Sequence, residues 1–129
     1  MRKLRLLLVS GASVVGQSVL TALAHRREEV DVVATGSDAG ELALFDFDAT
    51  WVAPETASGP EAFAARLREI VARERPALVI PCRDDDVVAL AELREEQPDL
   101  PALCGSAAAA RVMADKWASA EFSLRHGLP

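Results

Sequence analysis

An apolar run that ends at a glycine and then resumes at helical spacing is the feature of this chain that most restricts its fold. Residues 4–10 (Leu-Arg-Leu-Leu-Leu-Val-Ser) are almost continuously apolar, as in a strand that is buried on both faces of a sheet. Residues 11–16 turn the chain, and apolar side chains then recur at helical spacing, namely Val15, Val19, Leu20 and Leu23. A strand that turns directly into an amphipathic helix predicts the first half of a βαβ crossover.

The same alternation continues along the rest of the chain. Further strands are predicted at residues 29–35, 50–52, 77–80 and 102–104. Ser58-Gly59-Pro60-Glu61 is typical of a capping box that begins a helix, and Ser106 is predicted to cap another. Helices are also predicted at residues 87–95, 107–113 and about 115–125, with a short helical turn at 41–47. We therefore predict an α/β fold, a three-layer Rossmann-like open parallel sheet of about five strands with helices on both faces.

Length and charge narrow the classes of function. The chain has 129 residues, enough for one domain with its own core, and a net charge of −6. A negative chain lacks the basic face that nucleic-acid binding requires, so no nucleic-acid partner is expected. No stretch approaches the roughly 20 apolar residues of a membrane helix, and we expect a cytoplasmic protein without a membrane partner. Cys82 and Cys104 are interpreted as small core residues, and no metal site is expected.

The loop after the first strand has the glycine spacing of a dinucleotide fingerprint, with Ser13 in place of the middle glycine. The acidic residue expected at the end of the second strand is replaced by Thr35 and Gly36, and Asp38 comes slightly late. Three interpretations stay open. The loop is a tight turn that packs closely, a loop of amides at a helix N-terminus that receives an anion, or an altered NAD(P) site.

A second polar loop, Pro81-Cys82-Arg83-Asp84-Asp85-Asp86, follows the fourth predicted strand. Aspartates are favoured in the first turn of a helix, so a solvated helix start is one explanation. The other is a binding site in which Arg83 holds a substrate carboxylate or phosphate through its planar guanidinium. In that case Asp84 or Asp85 would orient an amine or hold Arg83 in place.

The last predicted helix begins with a lysine. Asp115 is a suitable cap for it, and Trp117 is expected to pack in the core or at a domain interface. A lysine at position 116, in the first turn, opposes the helix dipole, which makes an anionic partner attractive there. The helix leads to His126-Gly127-Leu128-Pro129, a glycine and proline ending that is typical of a connection between two elements.

In their order and spacing, these segments resemble the N-terminal domain of ATP-grasp enzymes. It is the Rossmann-like preATP-grasp domain of the carbamoyl-phosphate-synthase large-chain type, which also precedes the ATP-binding part of biotin carboxylase-like ligases. The resemblance covers the whole chain. It rests on Leu-Leu-Val-Ser-Gly-Ala-Ser-Val-Val-Gly-Gln (residues 7–17), Arg-Pro-Ala-Leu-Val-Ile-Pro-Cys-Arg-Asp (residues 75–84), and Ala-Asp-Lys-Trp (residues 114–117) with Phe122 and the Gly-Leu-Pro ending.

The resemblance implies a carboxylate–amine or carboxylate–thiol ligase that activates a small carboxylate substrate as an acyl phosphate. By similarity, Lys116 would contact ATP. The loops containing Gly11, Ala12 and Ser13 and containing Arg83, Asp84 and Asp85 would face the acceptor substrate. No catalytic residue is assigned to this chain.

The resemblance also implies a division of the chain. Residues 1–114 would form the preATP-grasp domain, and residues 115–129 a connecting helix and linker toward an ATP-grasp domain that this sequence does not contain. The parent enzyme would use ATP and Mg²⁺, whereas this segment alone is expected to bind no cofactor, to hold no metal and to be inactive.

Two other functions stay open at the level of sequence. One is a small NAD(P)-binding Rossmann module, either a redox sensor or a dehydrogenase fragment. The other is a scaffold without enzymatic activity that forms a homodimer through its exposed helices.

Overall fold

Four parallel strands form the centre of the molecule in the computed structural model, which describes residues 3–129. The strands are β1 (Leu4–Val9), β2 (Val30–Gly36), β3 (Ala49–Val52) and β4 (Leu78–Pro81). The helices are α1 (Val14–Ala22), α2 (Pro60–Glu74), α3 (Asp84–Glu96), α4 (Ala107–Ala114) and α5 (Lys116–Arg125). Short 3-10 turns lie at Ala24–Arg26 and Leu42–Asp46. The α/β fold predicted from the alternation of patterns is confirmed.

The order of strands in the sheet is β3-β2-β1-β4. The chain moves outward from β1 through β2 to β3, and then crosses back to place β4 on the other side of β1. In register, Leu7 of β1 lies between Val33 of β2 and Val79 of β4. Open parallel sheets bind ligands beyond the strand ends where the order reverses, which here is between β1 and β4.

Two apolar layers pack on opposite faces of the sheet, because successive side chains of a strand point to opposite faces. On one face, Leu7 and Val9 pack with the buried side chains of α2 and α3, among them Phe63, Leu67, Ile70, Leu90 and Leu93. On the other face, Leu8 packs with apolar side chains of α1 and with Leu44 and Phe47. The four strands therefore have helices on both faces, as predicted.

The predicted fifth strand is reduced to a single bridge between Val79 and Ala102. The Val79 amide donates to the carbonyl of Pro101, and the Leu103 amide donates to the carbonyl of Val79. Proline has no amide hydrogen, which limits ladder pairing on the amino side of this bridge. The segment lies at the edge where we expected a strand, but it pairs through one residue only.

Two helix starts differ from the sequence interpretation. The cap of α2 is Gly59, which makes no side-chain hydrogen bond, while the Ser58 hydroxyl donates to the carbonyl of Glu55. The predicted capping box is therefore wrong, although Pro60 does stand in the first turn. Helix α3 begins at Asp84, earlier than residue 87, because carboxylates are stabilised in a first turn.

Other start signals are confirmed. Ser106 caps α4 by accepting a hydrogen bond from the Ala109 amide, and Asp115 caps α5 by accepting from the amides of Trp117 and Ala118. Within residues 3–129, no helix is long and apolar enough to span a bilayer.

Candidate functional site

The carboxyl ends of β1, β2 and β3 surround a cavity of about 190 Å³, which also reaches the loop after β4. Its wall includes Ser10, Ala12 and Ser13 after β1, Thr35 to Ser37 at the end of β2, Pro54 and Glu55 after β3, and Arg83 after β4. Glu41 completes the polar lining. The cavity therefore lies at the edge that the strand order selects for ligand binding.

Ser10, the residue after β1, has a left-handed backbone conformation, with φ of 56°. This conformation is unfavourable for a residue with a side chain, and its use next to a cavity is typical of functional sites. The Ser10 amide donates a hydrogen bond of 3.0 Å to the hydroxyl of Thr35, which is buried at the end of β2. The contact ties the turn after β1 to the neighbouring strand.

Gly11 and Gly16 serve close packing. A Cβ atom on Gly11 would stand 2.6 Å from Cβ of Ala34 and 3.2 Å from the Phe47 ring. A Cβ atom on Gly16 would collide with the backbone carbonyl of Gly11. Gly11 therefore allows the loop after β1 to approach β2, and Gly16 allows α1 to approach that loop, which supports the structural interpretation of the glycine loop.

The Ser13 side chain is engaged within the protein. Its hydroxyl oxygen caps α1 by accepting a hydrogen bond of 3.2 Å from the Gly16 amide, and the hydroxyl donates one of 3.3 Å to the carbonyl of Cys82. Ser13 thus connects the loop after β1 to the end of β4. Its side chain occupies the place where a fingerprint glycine would let a pyrophosphate approach the backbone.

Among residues 3–129, Arg83 is the one cation that lines the cavity, and it is loosely held. Its guanidinium lies 4.0 Å from a carboxylate oxygen of Glu55, and both side chains are about half exposed. An exposed pair at this distance contributes little to stability, about 0 to 1 kcal/mol. Arg83 can therefore turn toward a ligand anion at low cost.

Glu41 brings a carboxylate to the end of β2. Its Oε1 atom accepts hydrogen bonds from the backbone amides of Ser37, at 2.9 Å, and Asp38, at 3.1 Å. The short 3-10 turn at Leu42–Asp46 places Glu41 there, with Leu44 buried as its anchor. A negative group therefore lies near the position of the fingerprint acid, although it comes from a different residue.

Asp86 is almost fully buried, with 2% of its surface exposed. The Thr56 hydroxyl donates to its Oδ1 atom at 2.7 Å, while Oδ2 has no hydrogen-bond partner in the part of the chain that is described. Burial raises the pKa of Asp86 above its ordinary value, and the hydrogen bond from Thr56 offsets part of that rise. A cavity of about 10 Å³, enough for one water molecule, adjoins this carboxyl group.

The structure places some of the site residues predicted from the sequence at the cavity and others away from it. Ala12, Ser13 and Arg83 line the same cavity, and Gly11 is buried beneath it. Asp85 borders the water-sized cavity beside Arg83, whereas Asp84 lines neither cavity. Neither aspartate forms an ion pair with Arg83, whose partner is Glu55.

Lys116 lies apart from the cavity. It is the first residue of α5 and is exposed, as is Trp117, with 75% of its surface accessible. Of the two predicted places for Trp117, the core and a domain interface, the core is wrong. Among residues 3–129, no group of His, Cys, Asp or Glu side chains is arranged to hold a metal ion.

Several polar residues of this edge were missed at the level of sequence. Glu55 lies three residues after the end of β3, so the rule that ligands bind at strand ends would have selected its loop. Asp86 shares its helical face with Leu90 and Leu93, and that spacing would have marked it as inward-facing. No sequence signal marks the position of Glu41, because that position depends on how the turn after β2 returns to the end of the strand.

Solved structures share this fold. Glycinamide-RNase-transformylase T from Mycobacterium tuberculosis superposes with a TM-score of 0.69 at 24% identity, over 97% of this chain and 36% of that chain. The biotin carboxylase domain of Hydrogenobacter thermophilus 2-oxoglutarate carboxylase, in a complex that includes MgADP and bicarbonate, gives 0.67 at 16%, over 100% and 29%. dTDP-glucose 4,6-dehydratase from Bacillus anthracis, in complex with NAD, gives 0.55 at 12%, over 77% and 36%.

The chain spans about a third of the length of these solved chains. At such identities the likeness establishes the Rossmann-like α/β fold. No protein-family model matches the sequence, and no curated protein sequence matches it.

Proposed function

We propose that this chain is the N-terminal, substrate-side domain of an ATP-grasp ligase that joins a carboxylate to an amine or a thiol. The observation that carries the proposal is the extent of the structural likeness. It includes 97% of the chain for the transformylase and all of it for the biotin carboxylase domain, and so extends through α5. For the NAD-bound dehydratase it includes 77%.

The polar cavity supports this proposal. Glu55, after β3, and Arg83, after β4, meet in the cavity at the carboxyl ends of the strands, where a small charged substrate is expected in an open parallel sheet. The cavity is smaller than the roughly 300 to 1,000 Å³ of sites for drug-sized ligands, which favours a small metabolite.

In the proposed enzyme, ATP phosphorylates a carboxylate, and an amine or thiol then displaces phosphate from the acyl phosphate. This chain would bind and orient the acceptor at Arg83 and the loop of residues 11–13. Lys116, exposed at the start of α5, would reach ATP held by a second domain. That domain would also hold Mg²⁺, and this chain alone would not turn over ATP.

The gene provides the first test. We expect the reading frame to continue beyond the codon of Pro129 into an ATP-grasp domain. The longer polypeptide should release ADP when a carboxylate and an amine are both supplied, and the 129-residue chain should not. Magnesium-dependent ATP hydrolysis by the 129-residue chain would contradict the proposal, and so would a stop codon directly after the codon of Pro129.

The role of Lys116 is tested in the same longer polypeptide. Lys116→Ala should raise the KM for ATP about tenfold or more, because a charged hydrogen bond to phosphate is lost. Exposed Arg125, at the end of the same helix, provides the control, and Arg125→Ala should leave that KM unchanged.

A second candidate is a small NAD(P)-binding module, favoured by the likeness to an NAD-bound dehydratase and by the glycine loop. The engaged Ser13 hydroxyl and the small cavity argue against it. Calorimetric titration of the chain with NADH and NADPH separates the two functions. Saturable binding in the micromolar range would favour this candidate over the ligase domain.

A further inference from the structure

The backbone amides of Ser37 and Asp38 both point at one oxygen atom, Oε1 of Glu41. Successive amides arranged in this way form a concave anion site, of the kind that binds phosphate or carboxylate groups in other proteins. Here the site lies in the wall of the 190 Å³ cavity, since Ser37 and Glu41 both line it. The anion that occupies this site is a side chain of the protein itself, the carboxylate of Glu41.

An internal carboxylate in this position changes what the cavity accepts. A phosphate group would have to displace Glu41 to reach the two amides, and it would be repelled by the carboxylate as long as Glu41 stays. The end of β2 is therefore closed to phosphate. This differs from an empty amide loop, which would attract an anion.

The same carboxylate offers an acceptor to a ligand. Oε1 of Glu41 receives both amide hydrogen bonds, whereas Oε2 has no donor within the described residues. Glu55 adds a second carboxylate to the cavity wall, and Arg83 adds one guanidinium. A ligand that carries both an ammonium group and a carboxylate complements this set, while a ligand with only negative groups does not.

We propose that Glu41 determines the ligand class of the cavity: it excludes phosphate from the Ser37 and Asp38 amides and selects a small zwitterion. In this arrangement the ammonium group of the ligand donates to Glu41, and its carboxylate pairs with Arg83. The inference rests on the proposed function for the use of this cavity by a substrate. It names that substrate as a compound of the amino-acid class without a phosphate group.

The test is a titration of the ¹⁵N-labelled chain, followed through backbone amide resonances. The probes are glycine, methylamine, acetate and inorganic phosphate, at equal ionic strength. Glycine should shift the amides of Ser10, Ser37 and Asp38 in a saturable way, with an affinity at least about tenfold above those of methylamine and acetate. Phosphate should leave these resonances unchanged.

Two substitutions of Glu41 separate its two proposed roles, the exclusion of phosphate and the binding of an ammonium group. Glu41→Gln keeps an oxygen for the amides and removes the charge, so glycine binding should weaken about tenfold or more while phosphate is still excluded. Glu41→Ala empties the amide site, so phosphate should now shift Ser37 and Asp38. Glu121→Ala, at an exposed position on α5, is the matched control and should behave like the unchanged chain.

The inference is overturned if phosphate binds the unchanged chain at these amides, or if Glu41→Gln binds glycine as the unchanged chain does. Should Glu41→Ala fail to fold, the glutamine variant still decides the matter. The proposed function is judged by ATP-dependent turnover in the longer polypeptide. Selective glycine binding without such turnover would therefore support the assignment of the cavity to a zwitterion and contradict the proposed ligase function.

Discussion

The Thr56 hydroxyl donates a 2.7 Å hydrogen bond to Oδ1 of Asp86, which joins the loop after β3 to the first turn of α3. Glu55, the neighbour of Thr56, forms part of the cavity wall, and so does Arg83, which precedes α3. The buried carboxyl group of Asp86 therefore connects the segment that carries Glu55 to the segment that carries Arg83.

Asp86 should make stability depend on pH in a defined direction. Its folded-state pKa is raised by burial, so the folded chain holds the proton more tightly than the unfolded chain. The stabilisation from the protonated form is present below the unfolded pKa and is lost as pH rises through the folded pKa. The free energy of unfolding of the unchanged chain should therefore fall, relative to that of Asp86→Asn, as the pH rises above the ordinary pKa of an aspartate.

Urea unfolding of both proteins at each pH measures this difference. Asparagine keeps an oxygen for the Thr56 hydroxyl and carries no charge at any pH, so the other carboxylates cancel in the comparison. A difference that stays constant with pH would show that Asp86 titrates alike in the folded and unfolded states.

Gly11→Ala should destabilise the chain by about 1 to 3 kcal/mol, because the new methyl group would stand 2.6 Å from Cβ of Ala34, between α1 and β2. Gly105→Ala is the control. A methyl group at that position meets only Ala109, at 3.7 Å, and should change the free energy of unfolding by less than about 0.5 kcal/mol. Thermal and urea unfolding check both values. Equal stability of the two variants would contradict the packing role of Gly11.

Ser13→Ala removes the α1 cap and the hydrogen bond to the Cys82 carbonyl together. We expect a loss of about 1 to 2 kcal/mol in the free energy of unfolding. Ser18→Ala is the matched control, because the exposed Ser18 hydroxyl only donates to a carbonyl of its own helix. Amide hydrogen exchange at Gly16 should speed up in the first variant and not in the second. Unchanged exchange at Gly16 would argue against the cap.

The two cysteines should differ in reactivity. Burial, reinforced by the negative charge of Asp86, raises the pKa of the Cys82 thiol to about 12, and only 3% of its surface is exposed. Cys104 is half-buried. Iodoacetamide at about pH 8 should therefore label Cys104 first, as read by mass spectrometry of peptides, and Cys104→Ser should remove the fast phase. Rapid labelling of Cys82 in the folded chain would show that the end of β4 opens.

The sequence predicts the strands and helices well where local signals decide them. The apolar runs of β1 and β2 and the caps Ser106 and Asp115 lie where their patterns indicate. The capping box at Ser58 fails because its hydroxyl bonds instead to the carbonyl of Glu55, a contact made within the preceding loop. A cap motif thus predicts a helix near this position but does not decide which residue caps it.

The candidate site is less accessible to sequence analysis. Arg83 could be placed at the sheet edge because it lies in the loop that follows a strand, and the glycine loop could be placed for the same reason. Its partner Glu55 and the amide-bound Glu41 come from separate loops, and their meeting depends on tertiary packing. Asp86 was grouped with its exposed neighbours, although its spacing from Leu90 distinguishes it.

The single bridge at Ala102 also affects how copies of this protein can associate. The amide and carbonyl of Ala102 face away from β4, and both are already satisfied, by the Leu100 carbonyl and by the Arg94 guanidinium. At the opposite edge, Arg66 donates to the carbonyl of Val52. Unsatisfied strand edges recruit further strands, which leads to aggregation or domain exchange. With these three edge groups occupied, a strand added at either edge would first have to displace the hydrogen bond from Arg94 or the one from Arg66.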